Sequence, residues 1–387
     1  MNTMQSREAA LLETIRQGLF LASVQNTRTT LGDRSRYIGL SEIARYAGCP
    51  RAAIAAKLSA PTAHMDRLLA TQRGHWFESG IKSALVAAKL NHFHQLEITV
   101  KRIEGTIKAH LDFTLVWEQP VQAIRILEVK STEKIPTEPW NSHVIQAQGQ
   151  VDLLRHYWDK PVFSLRDESG IILHENISFP QLCREQFGLE LPANPDDIST
   201  ESWLLYLSMQ EAKAFGPYVY SPESLAEMFG HAQAFQQQIS AVLEGRSDLG
   251  DLPFPQGFYP LCGHCEYNAD CPKFRQGSYQ PQWEPAIRKL DELKKRQTEI
   301  TAEIREIEDA LKQAHVLSET KDWIDTGQHR FRMSMVSGRK SLNQDALKEE
   351  LSAIFRSLNQ ETDVEALFAR YVTQGEPFPR LTISNVN

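Results

Sequence analysis

Features that would place the chain in a membrane or a secretory pathway are missing from the sequence. No apolar run approaches the roughly 18–20 residues that a membrane-spanning helix needs. The first twenty residues carry Glu8 and Glu13, whereas a secretory signal would be free of acidic residues there. Repeats and low-complexity tracts are also absent. We therefore expect a cytoplasmic protein that does not contact membranes.

Neither a large excess of charge nor many cysteines are present. The formal net charge of the 387 residues is −7, so the molecule as a whole does not attract nucleic acid. Residues 27–67 are a local exception, with seven Lys and Arg against three Asp and Glu. In a reducing compartment, the five cysteines favour metal binding over disulfides.

The hydrophobic pattern changes its period along the chain. Helical spacing predicts helices over 5–24, 41–58 (interrupted at Cys49-Pro50), 74–89 and 142–158. Alternation predicts strands over 96–103, 107–117, 123–131, 161–165 and 170–177. Residues 190–260 are predicted to be helical with loops. This order predicts an α/β fold in which a mixed central sheet is flanked by helices.

The C-terminal part is predicted to be a helical or α+β extension. Residues 284–314 form a long charged helix in the prediction, followed by short strands, a helix near 343–358 and a last strand at 380–384. The long helix has an approximate heptad seam at Leu290, Ile300, Ile304, Ile307 and Leu311. We expect an N-terminal helical segment (1–40), a core (41–275) and an accessory or oligomerising region (276–387).

Two acidic residues and a lysine fall on adjacent predicted strands. Glu128 and Lys130 are two residues apart in a strand, so they project from the same face about 7 Å apart. A turn between the strands brings Asp112 beside Glu128, and two adjacent carboxylates repel unless a cation lies between them. Mg²⁺ or Mn²⁺ suits such ligands and would polarise a scissile phosphate. Lys130 would then position the hydroxide that attacks this phosphate and stabilise the transition state of its hydrolysis. The alternative is a simple Glu128–Lys130 ion pair.

These residues resemble a known nuclease signature. Asp112 followed by Glu128-Val129-Lys130 resembles the D…(D/E)-x-K motif of the restriction-endonuclease-like PD-(D/E)xK superfamily. Glu78 resembles the glutamate of the phage exonuclease and YqaJ-like viral recombinase branch, where RecB-type nucleases have a histidine. The segment "QAQGQVDLLRHYW" resembles the glutamine-bearing helix of these families. The tyrosine expected of the RecB branch is missing from it.

The resemblance implies a restriction-endonuclease-like fold and a metal-dependent DNA exonuclease. It implies that Asp112, Glu128 and the Val129 carbonyl hold Mg²⁺ or Mn²⁺, with Glu78 completing the site directly or through water. It also implies a glutamine that orients the lysine or the phosphate. Gln148 is the best register for that role, and Gln150 is the next.

Three of the five cysteines crowd into one short segment. Cys262, Cys265 and Cys271 are one short of the four ligands of a tetrahedral site, and Cys49 and Cys183 are the candidates for the fourth. One cysteine before the core and C-x2-C-x5-C after it resembles the iron–sulfur site of AddB-type nucleases and of CRISPR adaptation nucleases. This implies a [4Fe–4S] cluster on Cys49 and the triplet. Zinc in the same cage is the alternative.

DNA, as single strands or duplex ends, is the expected partner. A second copy of the chain and a recombination protein are further candidates. Arg45, Arg51, Lys57 and Arg67 would neutralise phosphates, unless they form a solvated helix face. Two other hypotheses stay open: a catalytically silent DNA-binding scaffold of the same fold, and a zinc-stapled interaction protein.

Overall fold

The structure is a computed structural model, and the chain in it divides into two units, Met1–Gln280 and Pro281–Asn387. It describes residues 2–59, 64–103, 105–118, 121–167, 169–257, 259–275, 281–320, 322–327, 329–333, 344–357, 363–364 and 366. No helix within these ranges combines the length and apolar character needed to span a bilayer. All the predicted site residues belong to the first unit.

The first unit alternates helices and strands in the order α1–β1–α2–α3–α4–β2–β3–β4–α5–β5–β6–α6–β7–β8–α7–α8. Their bounds are α1 Asn2–Leu31, β1 Ile38–Gly39, α2 Leu40–Gly48, α3 Pro50–Leu58, α4 Met65–Ala87, β2 His92–Arg102, β3 Gly105–Trp117, β4 Ala123–Ser131, α5 Asn141–His156, β5 Phe163–Arg166, β6 Ile172–Ile177, α6 Phe179–Phe187, β7 Ser199–Leu207, β8 Ala212–Tyr218, α7 Pro222–Leu243 and α8 Pro272–Arg275. The predicted helices and strands up to residue 177 are therefore present, with shifted ends.

The strands form one mixed sheet, in the order β6-β5-β2-β3-β4-β7-β8, with β1 paired to β3. β4 and β7 run parallel, as do β1 and β3, and the other neighbours are antiparallel. The prediction of a mixed central sheet flanked by helices is confirmed at this level. The connection from β4 to β7, through α5, β5, β6 and α6, is long enough for the crossover that a parallel pair requires.

Strands β7 and β8 were not predicted, and the expectation of a helical 190–260 segment is wrong for its first half. The inward-facing side chains of β7 are Thr200, Ser202, Leu204 and Tyr206, all of them buried. Because two of these four are polar, the strand lacks the apolar alternation by which a half-buried strand is recognised. The buried face of β7 can therefore be identified only in the folded structure, where neighbouring elements cover these four side chains.

Helices α2, α5 and α7 pack against one another, and α2 and α5 also contact the sheet through β3, β4 and β7. The main core lies here and includes Ile43, Ile126, Val151 and Phe235, each buried. Gly149 permits the close approach of α5, since a Cβ atom there would lie 2.7 Å from Cδ1 of Leu40. This packing holds α5 firmly beside β4, where the acidic residues lie.

The break between α2 and α3 presents Cys49. Pro50 opens α3, a position that suits a residue with no N–H and a φ already close to helical. Cys49 itself is extended, with φ −156° and ψ 95°. The interruption predicted at this dipeptide is observed.

The second unit contains α9 (Glu284–Leu317), the short pair β9 (Ile324–Asp325) and β10 (Arg330–Phe331), and α10 (Gln344–Ser357). The two predicted helices of this region are confirmed. The predicted strand at 380–384 lies outside the described residues.

Candidate active site

Strands β3 and β4 place Asp112 next to Glu128. Phe113 pairs with Leu127 in the antiparallel register, so the residues one step further along stand side by side. The backbone N–H of Val129 donates to Oδ2 of Asp112 at 2.8 Å. The alternation of the two strands is sufficient to bring these residues together, as the sequence predicts.

Helix α4 and strand β2 add a third carboxylate to this pair. Oε1 of Glu78 lies 2.9 Å from Nε2 of His94. Nε2 of Gln95 donates to Oε1 of Glu78 at 2.5 Å and to Oδ1 of Asp112 at 3.1 Å. Gln95 is therefore a bridge between two predicted site residues.

Gln95 was not identified from the sequence. Its φ of 55° lies in the left-handed region, which is uncommon for a residue other than glycine and concentrates at functional sites. The buried side of β2 changes phase here, from Phe93 to Leu96, so the strand is irregular at this point. No local sequence pattern marks such an irregularity, because the residue type itself has no preference for that conformation.

The charges of the three carboxylates act on one another. The pKa of Asp112 is raised well above its ordinary value, first by burial and then by the negative charges of Glu128 and Glu78. Burial also acts to raise the pKa of Glu78, but hydrogen bonds from His94 and Gln95 outweigh it, so that pKa is lowered. Burial and the two glutamates thus disfavour the ionised form of Asp112, and a cation beside it would relieve the repulsion.

Lys130 is held between Glu128 and helix α5. Its Nζ donates to Oε1 of Glu128 at 2.7 Å and to Oε1 of Gln146 at 2.9 Å. Nε2 of Gln146 donates to the same Glu128 oxygen at 2.7 Å, and the amide of the buried Gln150 donates to the other oxygen. Glu128 is only 3% exposed, so these donors replace the water it has lost.

The structure does not bring Gln148 to the site, whereas Gln150, the next register in the sequence analysis, donates to Glu128. Nε2 of Gln148 donates instead to Oδ1 of Asp152 at 2.9 Å and to the carbonyl of Val219 at 2.6 Å. Gln146 and Gln150 are four residues apart and share one face of α5, whereas Gln148 lies on another face. Helical periodicity links the first and third glutamine, but only tertiary packing decides which face meets β4.

This geometry predicts different effects for two glutamines of one helix. For the DNA hydrolysis expected from the sequence, Gln146→Ala should lower the rate roughly tenfold, because Lys130 loses one of the two acceptors that fix its position. Gln148→Ala should leave the rate within about twofold and lower the free energy of unfolding by about 1 kcal/mol, from the lost hydrogen bonds. Single-turnover rates and urea denaturation of both variants would measure this. The reverse order of the two rates would contradict the register assigned here.

A cleft of about 800 Å³ opens at the carboxylates. Its walls include Glu78, Asp112 and Gln146, together with Lys108 of β3 and Arg166 of β5. The C-terminal part of α1 also lines it. A concave space with a few convergent charged groups is the usual form of a ligand site.

The acidic side chains at the site can be compared with the ligands that a divalent cation requires. Among the described residues, no group of three or more His, Cys, Asp or Glu side chains is placed so that it could hold a metal ion. Mg²⁺ is commonly held by only one or two carboxylates together with water and phosphate oxygens. The Asp112–Glu128 pair fits that requirement.

The cysteine triplet lies near Cys49. The pKa of Cys49 is raised, first by burial and then by the negative charges of Cys265, Cys262 and Cys271. Cys183 lies instead on α6 with its side chain in the buried core, where burial raises its pKa. The structure therefore places Cys49, and not Cys183, within electrostatic range of the triplet, but among the described residues these cysteines do not form a group that could hold a metal ion.

Two basic side chains reinforce this neighbourhood. The guanidinium of the buried Arg51 donates to the carbonyls of Tyr267 at 2.9 Å and Asp270 at 3.2 Å, which ties α3 to the cysteine loop. Nζ of the buried Lys273 lies 3.4 Å from Sγ of Cys262. Arg51 thus has a structural role, and its predicted contact with phosphate is wrong.

The other predicted DNA contacts are also partly engaged within the protein. Nζ of Lys57 donates to the carboxylate of Glu42 at 2.9 Å and to two backbone carbonyls, so this lysine is not available to phosphate. Arg67 pairs with Glu266 at 3.2 Å. Arg45 is exposed. The charge count of the segment overstated its basic surface, because a sequence does not show which charges are paired inside.

Comparisons with known proteins add little. No family model matches the chain, and no curated protein sequence matches it. The crystal structure of SSO0001 shares 14% identity over 61% of this chain and 86% of its own length, with a TM-score of 0.34. A candidate exonuclease from Eubacterium rectale shares 11% identity over 58% of this chain and 87% of its own length, with a TM-score of 0.31. Similarity at this level carries no argument about fold or function.

Proposed function

We propose that this protein is a metal-dependent deoxyribonuclease that hydrolyses phosphodiester bonds at DNA ends. One observation carries the proposal. Asp112, Glu128 and Glu78 arrive from β3, β4 and α4, and the charges of the two glutamates act on Asp112. Asp112 and Glu78 line the cleft, and Lys130 pairs with Glu128 beside Asp112. A structural ion pair between Glu128 and Lys130 would need neither the other two carboxylates nor the cleft.

Asp112 and Glu128 would hold Mg²⁺ or Mn²⁺, with the Val129 carbonyl and Glu78 completing the site. A divalent cation there would supply Lewis-acid polarisation of the scissile phosphate and a nucleophilic water at neutral pH. Lys130 adds a fixed positive charge beside Glu128, where it stabilises negative charge that develops on the phosphate oxygens. Gln146 limits the positions that the ammonium group can take.

The four neighbouring cysteines support a second element of the proposal, a [4Fe–4S] cluster held by Cys49, Cys262, Cys265 and Cys271. Thiolate ligands favour iron–sulfur clusters or zinc, so the donor chemistry fits. Its role here is structural, since it would join the start of the core to the end of the first unit.

The experiment that tests the nuclease compares linear and closed-circular DNA of the same sequence, with Mg²⁺ or Mn²⁺ and with chelator. We expect the wild-type protein to degrade only the linear DNA, and only with metal. Asp112→Asn, which keeps the shape and removes the charge, should lower the rate by at least about 100-fold. Asp159→Asn, which alters an exposed aspartate paired with Lys160, is the matched control and should retain full activity.

The outcomes separate the parts of the proposal. Cleavage of both DNA forms would support a nuclease that is not an exonuclease. Absence of cleavage with either metal, or equal rates for Asp112→Asn and the wild type, would overturn the catalytic assignment. Absence of cleavage together with retained DNA binding would favour a catalytically silent scaffold of the same fold.

A further inference from the structure

Helix α9 of the second unit carries a continuous apolar row. Counting in heptads, the two inner positions recur along the helix at spacings of three and four residues. They are occupied by Ala286, Leu290, Leu293, Gln297, Ile300, Ile304, Ile307, Leu311 and Ala314. Only Gln297 is polar, so the row forms a seam over about four heptads.

This seam is open to solvent. Every residue from 291 to 314 is exposed, and the five large apolar side chains in that stretch are 41–62% exposed. Isolated helices have little stability in water, and most helical stability in proteins comes from packing an apolar face. A helix of 34 residues with such a seam is typical of one that pairs with another helix.

The charges along α9 are divided by sign. Residues 287–296 carry five Lys and Arg and two Asp and Glu, whereas residues 297–310 carry one Arg and five Asp and Glu. An identical helix that runs antiparallel would place its acidic half against this basic half. A parallel copy would place like charges together.

We propose that two copies of this chain associate through an antiparallel pair of α9 helices. The seam closes with Leu290 opposite Ile307, Leu293 opposite Ile304, and Gln297 opposite Ile300 of the second copy. In each layer, one inner heptad position of the first helix then packs against the other inner position of the second helix, as antiparallel pairing requires. The pairing is independent of the proposed nuclease activity.

The flanking positions favour the same orientation. In the antiparallel register, Arg296 lies beside Glu303 of the second copy, twice by symmetry. In a parallel pair, Lys289 would meet Lys294, and Glu303 would meet Glu308. Because flanking charges select partner and orientation in coiled coils, the parallel arrangement is disfavoured.

Analytical ultracentrifugation of the full chain tests the association. We expect a dimer in the micromolar range, and Ile304→Asp should raise its dissociation constant by at least about 100-fold, because two buried isoleucines are lost per dimer. Ala302→Asp introduces the same charge on the outward side of the helix and should leave the dissociation constant within a few-fold. Circular dichroism would check that both variants keep their helical content.

A charge exchange tests the orientation. Arg296→Glu should weaken the dimer roughly fivefold or more, and the double variant Arg296→Glu/Glu303→Arg should restore it. A parallel pair would respond differently, since Arg296 faces Thr301 there and Glu303→Arg alone would strengthen it. A monomeric wild-type chain, a dimer indifferent to Ile304→Asp, or the parallel pattern of charge effects would each overturn the proposal.

Discussion

Replacing Lys130 with methionine is expected to lower the rate of DNA hydrolysis by about 10²–10³-fold, the cost typical of removing one preorganised charge or donor from a transition state. Methionine has nearly the length of lysine but no charge, so the variant removes the ammonium group that lies 2.7 Å from Glu128. Single-turnover cleavage of end-labelled linear DNA at saturating metal isolates this step from DNA binding.

Two further variants are the controls for this experiment. Lys134→Met removes an exposed lysine close in sequence and should leave the rate nearly unchanged. Lys130→Arg keeps the charge in a larger group and should retain part of the activity. If Lys130→Met cleaved DNA as fast as the wild type, the lysine would be only the ion-pair partner of Glu128 and the proposed mechanism would fail.

Replacing Cys49 with alanine is expected to remove the proposed [4Fe–4S] cluster and most of the stability of the first unit. A brown, anaerobically purified wild-type protein should absorb broadly near ~400 nm, and the variant should be colourless. A link between Cys49 and Cys262 closes a loop of more than 200 residues, worth about 5 kcal/mol in the chain-entropy account of crosslinks. That is comparable with the whole stability of a typical domain.

Cys183→Ala is the matched control for this experiment. Cys183 is fully buried, so its loss should lower the free energy of unfolding by about 1 kcal/mol while the colour and iron content stay unchanged. If Cys183→Ala bleached the protein and Cys49→Ala did not, the ligand set would be wrong. Zinc in a colourless wild-type protein, with no iron, would instead establish the zinc alternative.

The local residue pattern was sufficient to predict the central part of the fold and the pair of acids within it. The period-two alternation of residues 107–117 and 123–131 fixes the face of each strand on which Asp112 and Glu128 lie, and the antiparallel pairing of β3 with β4 makes that face a shared one. The Cys49-Pro50 break also follows from the sequence, because proline starts a helix more easily than it continues one. In each case, the physical cause acts within a few residues along the chain or between adjacent strands.

Other parts of the site were decided only by tertiary contacts. The irregular conformation that turns Gln95 toward Glu78 depends on how β2 lies against its neighbours, and its residue type does not reveal it. Three glutamines alternate along α5, and packing against β4 selects Gln146 and Gln150 over Gln148. Arg51 and Lys57 look like surface charges until their buried acceptors are known.

One physical reason separates the features that the sequence predicts from those that only tertiary contacts decide. Periodicity and backbone preference are properties of a short segment, so the sequence by itself determined the strands, the main helices and the shared face of Asp112 and Glu128. Pairing of a polar side chain with a distant acceptor depends on the three-dimensional arrangement of separate segments. Only the tertiary structure could therefore decide which glutamines, arginines and lysines serve the site and which stabilise the fold.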